Sequence, residues 1–128
     1  MKVLVTGGAG FIGTHTLVEL VQGGHSPVVV DDFSNARPGV LDAVARVCGQ
    51  QIPWLALDVR DGASLQAAFD AHRPDAVIHF AAFKAVGESW SRALDYHDNN
   101  VGGLLSVLRC MRASGVAPIV FSSSATVY

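Results

Sequence analysis

Cysteine is scarce in this 128-residue chain: Cys48 and Cys110 are its whole complement. They stand far apart, with no C-x-x-C pair and no Cys/His cluster. Neither a disulfide framework nor a metal site is spelled out, and both read as small buried hydrophobes in a reducing cytosol. Charge is sparse too, at 16% of residues with a net of −2. The basic residues are scattered and interrupted by acids, which excludes the electrostatic stripe that a nucleic acid partner requires. No apolar run approaches the ~18 residues of a membrane span. The N-terminus offers one lysine and then enters a glycine turn, leaving no room for the apolar core of a leader. A cytoplasmic protein with neither nucleic acid nor membrane as partner is expected. Repeats, low-complexity tracts and linkers are also missing, so one domain at most is expected, large enough for a core but short for a two-substrate enzyme.

What the chain has is apolar residues, half of the total, arranged in alternating patterns. Short β-branched runs at 3–5, 28–30, 54–57, 77–80 and 119–121 are separated by helical periodicities. The first helix is expected over 11–22, with Ile12, Leu17, Leu20 and Val21 facing the core and Gly23-Gly24 closing it. A second is expected over 40–47, and a third, capped by Asp61, carries Leu65, Ala68 and Phe69. A fourth is expected over 93–112, with Val101, Leu104, Leu105, Leu108 and Met111 inward at i, i+3, i+4, i+7 spacing. Five strands alternating with helices imply an α/β fold, a Rossmann-like doubly wound parallel sheet whose ligand crevice lies at the carboxyl ends of the strands.

The residues just after each strand are therefore the ones to weigh. Val3 to Val5 lead into Gly7, Gly10 and Gly13, a G-x-x-G-x-x-G loop running straight into the first helix. Its free backbone N–H groups and the helix N-terminus would face a pyrophosphate, so a dinucleotide cofactor is expected here. Gly13 costs its helix ~1 kcal/mol relative to alanine and demands a packing reason. Asp31 ends the second strand, 18 residues beyond Gly13, where an acid binds the adenosine ribose hydroxyls in dinucleotide folds. A 2′-phosphate placed against Asp31 would be repelled by ~4 kcal/mol per charge pair at intermediate dielectric, so NAD is preferred over NADP. Asp32 adds to that repulsion, and Arg37 is expected to turn outward at Pro38-Gly39. Asp58, after the third strand, suits either an adenine amino group or a local Asx-turn. His79 and the other histidines show no ligand spacing and are expected to be buried or capping, while Trp54 is expected to pack. No metal site is expected.

Taken together, TGGAGFIG, Asp31-Asp32, Asp58-Val59-Arg60, HFAAFKAVGES at 79–89, YHDNN at 96–100 and SSSATVY at 122–128 closely resemble the UDP-glucose (UDP-galactose) 4-epimerases. These belong to the extended short-chain dehydrogenase/reductases. The resemblance implies NAD contacts from Gly7, Gly10, Phe11, Ile12 and Gly13 at the pyrophosphate. It implies Asp31, Asp32 and Asn35 on the adenosine side, and Asp58 and Val59 at the adenine. Phe80, Ala81, Ala82, Lys84 and Asn99 would lie along the remainder of the cofactor. Ser124 would be the catalytic serine orienting the C4 hydroxyl of a UDP-sugar, and the intact protein would be a homodimer.

The family's Tyr-x-x-x-Lys base does not occur in these residues: Tyr96 is followed by Asn100, and Lys2 and Lys84 are the only lysines. Residues 1–128 are therefore expected to be the NAD-binding portion of an epimerase, truncated after about the fifth strand and inactive alone, without the last strands and the sugar-nucleotide domain. The alternatives are a non-catalytic NAD-binding module or pseudoenzyme, and another sugar-nucleotide dehydratase or epimerase.

Overall fold

The computed structural model describes residues 1–34, 36–80 and 101–122. In chain order the elements are β1 (Lys2–Thr6), α1 (Phe11–Gln22), β2 (Ser26–Asp31), α2 (Gly39–Cys48), β3 (Trp54–Ala56), α3 (Gly62–His72), β4 (Ala76–His79), α4 (Gly103–Ser114) and β5 (Ile119–Phe121). The strands form one sheet in the order β3-β2-β1-β4-β5, with every pairing parallel. The chain winds outward in one direction through β2 and β3, then in the other through β4 and β5. Its switch point lies between β1 and β4, as a doubly wound fold requires.

Period-two alternation in the central strands divides the core. Val3 and Val5 of β1 and Val29 of β2 join Leu17 of α1 and Leu41 of α2 on one face. Leu4 and Val30, their neighbours, join Leu65 and Phe69 of α3 and Val107 and Met111 of α4 on the other. Strands buried on both faces account for the uninterrupted Val/Leu runs in the sequence.

Helix α1 ends as the two glycines foretold. Gly24 adopts φ +84°, while Gly24 N–H and His25 N–H donate to the carbonyls of Val21 and Leu20 at 3.0 and 2.9 Å, a Schellman closure. Its inner face differs by one residue from the expected one, because Ile12 is 56% exposed. Ile12 lies in the first turn of α1, at the carboxyl edge of the sheet.

The expected face of the fourth helix is corrected more substantially. Gly103, Ser106, Val107, Cys110 and Met111 are the buried residues of α4, whereas Val101, Leu105 and Leu108 are exposed. Small residues carry the contact with α3 and the turn before it. A Cβ on Gly103 would lie 2.8 Å from Val59 Cγ2, and Cys110 Sγ lies 3.8 Å from the Gly62 carbonyl oxygen. Burial, and to a lesser degree Asp70, pushes the Cys110 thiol up and keeps it neutral. Residues 93–100 of the expected helix lie outside the described residues.

Candidate functional site

Ladder hydrogen bonds continue past the ends of the strands and hold four post-strand segments level along the carboxyl edge. Gly7 N–H donates to the Val30 carbonyl at 2.8 Å, Leu57 N–H to Asp31 at 3.0 Å, Phe80 N–H to Thr6 at 2.9 Å and Ser122 N–H to His79 at 3.3 Å. Beneath the switch point, Thr6 Oγ1 of β1 lies 2.6 Å from His79 Nδ1 of β4. Both residues are buried, and the imidazole stacks on Phe121 of β5 with centroids 5.8 Å apart. His79 is thus a core residue cross-linking three strands.

The glycine loop leaves β1 at Gly7, whose φ of +68° is open to glycine at little cost. Gly10 N–H then donates to the Gly7 carbonyl at 3.2 Å, closing a tight turn. Gly13 packs onto that turn: a Cβ there would lie 2.6 Å from Gly7 O and 2.7 Å from Gly8 Cα. This is the packing reason the position demanded, although the close approach is to the loop after β1 rather than to the strand itself. Gly10 differs, because its Cβ would meet only Gly7 O at 3.5 Å. Among the described residues, none fills the space over Gly10.

Helix α1 opens toward that space. Gly10 is its N-cap without a side-chain cap hydrogen bond, and no acidic residue stands in its first turn. The first N–H groups of a helix have no intrahelical partner, and with the helix dipole they form a site of positive potential. Phe11 and Ile12 leave the approach to it open, being 81% and 56% exposed.

Asp31 borders the same loop. Its Oδ2 accepts from Ala9 N–H at 3.1 Å and its Oδ1 from Phe33 N–H at 2.8 Å. One carboxylate thus joins the glycine loop to the turn after β2. Phe33, which sequence reasoning passed over, sits at φ +57° and meets Trp54 edge-on at 5.2 Å between centroids. A non-glycine residue in the left-handed region beside a crevice is a signal only the backbone carries. Asp32 caps its own turn by accepting from Ser34 N–H and Oγ at 3.0 and 2.8 Å. Arg37 is exposed, as expected.

Asp58 lies farther out along the edge, beyond β3. Its Oδ1 accepts from Arg60 N–H at 2.9 Å, the Asx-turn anticipated, and its Oδ2 pairs with Arg60 Nη2 at 2.6 Å. The Arg60 guanidinium holds the Asp58 carboxyl below the usual carboxylate range despite partial burial. Val59 buries its side chain in the core. Asp61 caps α3, accepting from Ser64 N–H and Oγ at 3.2 and 2.7 Å. The Ser64 hydroxyl is the main reason that its carboxyl is also held low.

The fold therefore brings Gly7, Gly10, Phe11, Ile12, Gly13, Asp31, Asp32, Asp58, Val59 and Phe80 to one edge. Asn35, Ala81, Ala82, Lys84, Asn99 and Ser124 lie outside the described residues. Among the described residues there is no His/Cys/Asp/Glu cluster able to hold a metal, and no helix long and apolar enough to cross a membrane. This edge suits an anionic ligand: an uncapped helix terminus beside an open glycine, with the carboxylates of Asp31 and Asp58 on the flank for hydroxyl or amino groups.

Residues 3–128 match the NAD dependent epimerase/dehydratase family. The chain is 48% identical to a UDP-glucose 4-epimerase of Klebsiella pneumoniae over 128 residues, covering 100% of this chain and 92% of that protein. It is 50% identical over 133 residues to the mouse UDP-glucose 4-epimerase, of which it spans only 38%. Its structure superposes with a TM-score of 0.97 on UDP-glucose 4-epimerase from Bifidobacterium longum in complex with NAD+ and UDP, at 45% identity, covering 100% of this chain and 38% of that one.

Proposed function

Because the chain belongs to the NAD dependent epimerase/dehydratase family, we propose that it forms the NAD-holding part of a UDP-glucose 4-epimerase. That enzyme interconverts UDP-glucose and UDP-galactose through transient oxidation at the sugar C4. The observation carrying this reading is the pair of contrasting glycines. Gly13 is consumed by packing against Gly7 and Gly8, while among the described residues Gly10 leaves open space in front of an uncapped helix. A cradle that a Cβ would fill fits a pyrophosphate approaching the backbone.

In this reading Phe11 and Ile12 receive the pyrophosphate on backbone N–H groups, while Gly7, Gly10 and Gly13 shape the loop that lets it approach. Asp31 accepts from the ribose hydroxyls, with Asp32 and Asn35 on the adenosine side, and Asp58 and Val59 meet the adenine. Phe80, Ala81, Ala82, Lys84 and Asn99 line the run toward the nicotinamide. When bound, NAD would supply the acceptor, and then the donor, of the C4 hydride. Ser124 orients the C4 hydroxyl, and the proton leaves to the Tyr-x-x-x-Lys base of the family. That motif is not among these 128 residues, so turnover is assigned to a protein that carries it together with this cradle. Such a protein is expected to act in the cytoplasm as a homodimer, which sedimentation would test.

Calorimetric titration of the chain with NAD and NADP tests the cradle. We expect saturable binding of NAD and at least ~10-fold weaker binding of NADP; a folded chain that binds neither overturns the reading. In the protein bearing Tyr-x-x-x-Lys, Ser124→Ala is expected to lower kcat while bound NAD is retained. Loss of NAD with unchanged turnover per cofactor would remove Ser124 from its role.

A further inference from the structure

Asp58 and Arg60 are joined more tightly than a surface ion pair requires. Arg60 Nε lies 3.1 and 3.0 Å from Oδ1 and Oδ2, Nη2 lies 2.6 Å from Oδ2, and the Arg60 N–H lies 2.9 Å from Oδ1. The guanidinium fork engages both carboxylate oxygens while the backbone N–H of the same residue holds Oδ1, and together they restrain its rotation. A carboxylate offers about four lone-pair sites. Three N–H donors of Arg60 meet the two oxygens, with Nε shared between them, so acceptor capacity for about one further donor is left for a ligand. The pair is still reachable, with side-chain exposures of 34% for Asp58 and 40% for Arg60. It stands at the end of β3, beyond Asp31 in the order of the sheet.

Resting on the NAD reading above, we infer that Arg60 is a positioning residue that fixes Asp58 as an acceptor-only reader of the exocyclic amino group of the base, selecting adenine over 6-oxopurines. An amino group donates to the fixed oxygen, whereas a 6-oxo group sets a second oxygen against it. A carboxylate free to turn could avoid that clash, but one held by a fork cannot. A site built to receive a hydrogen-bond donor rejects an analogue that lacks it far more strongly than an apolar pocket rejects a change of size.

Nicotinamide hypoxanthine dinucleotide, which replaces the adenine amine by a carbonyl, is the probe. In calorimetric titrations of the full chain, NAD is expected to bind at least ~10-fold more tightly than this analogue. Arg60→Gln removes an exposed side chain and is expected to cut the ratio to about threefold or less, mainly through lost affinity for NAD. Arg60→Lys keeps the charge without the planar fork and is expected to reduce the ratio as well. Asp58→Asn, whose amide presents either a donor or an acceptor, is expected to abolish the preference. A purely structural Arg60 would weaken both dinucleotides by one factor, so an unchanged ratio in Arg60→Gln, or a wild-type ratio in Arg60→Lys, overturns the inference. Equal binding of both by the wild type overturns the reading of the base and leaves the cradle standing. Binding of neither overturns the cradle, and this inference with it.

Discussion

Two strand-to-helix turns emerge at the same edge of one sheet and meet the same electrostatic problem differently. The turn from β3 to α3 answers its helix terminus from within: Asp61 caps α3 through Ser64, and Asp58 closes onto Arg60. The turn from β1 to α1 has a glycine cap and no acid in its first turn; Asp31 beside it engages Ala9 rather than the helix. A helix end satisfied by its own side chains has little to offer an anion, whereas one left open has its N–H groups and dipole to give. Proximity to the carboxyl edge is common to both turns; the proposed pyrophosphate site is assigned to the first for this reason.

The sharpest way to break this contrast is Gly13→Ala. A methyl 2.6 Å from Gly7 O and 2.7 Å from Gly8 Cα meets the loop's backbone, which no side-chain adjustment can clear. Relief requires the loop to part from the helix, at a cost on the order of 3 kcal/mol. Denaturant titration should show that loss, and NAD binding should vanish with it; a stability within ~0.5 kcal/mol of wild type would mean the loop is not built around this contact. Next in size is Asp31→Asn. An amide matches one of the two N–H donors now satisfied by the carboxylate and opposes the other. NAD affinity should fall ~10- to 100-fold and discrimination against NADP should shrink. Unchanged discrimination would take the ribose assignment from Asp31.

The contrast was partly legible in the sequence. Glycines at 7, 10 and 13 after a β-branched run, with an acid 18 residues on, encode backbone requirements that few other residue types can meet, so the cradle and the α/β winding could be read directly. Asp61 showed itself as a cap because capping is local. What escaped depended on contacts across the fold. The face of α4 was read from its large residues, but helices that pack closely bury small ones. Gly103 against Val59 and Cys110 against Gly62 turned Leu105 and Leu108 outward. The left-handed Phe33 and the fork of Arg60 on Asp58 carry no periodicity, and no spacing rule finds them.

Gly10→Ala separates what Gly13→Ala joins. Its added methyl meets only Gly7 O at 3.5 Å, and a φ of −74° suits alanine. Folding stability should stay within ~1 kcal/mol of wild type, the entropy gain of alanine opposing its poorer N-cap preference, while NAD binding weakens ~10-fold because the methyl occupies the approach to the backbone. Equal affinity in this variant would mean that the ligand does not pass over Gly10.

Acid titration gives the smallest effect and isolates the second turn. Arg60 lowers the folded-state pKa of Asp58, so on acidification the unfolded chain takes up its proton first. The contribution of the pair is complete above the ordinary aspartate value of ~3.9 and fades as pH falls through the lower folded value. Wild-type stability should therefore decline more steeply below about pH 4 than that of Arg60→Gln. Because both side chains are partly exposed, the difference should be modest and should disappear at ~1 M salt, where charges are screened within a few ångströms. A difference that persists at high salt would show the fork acting through packing. Affinity for NAD measured well above this range, where Asp58 is fully ionised in both proteins, then reports the orientation of the carboxylate rather than its charge.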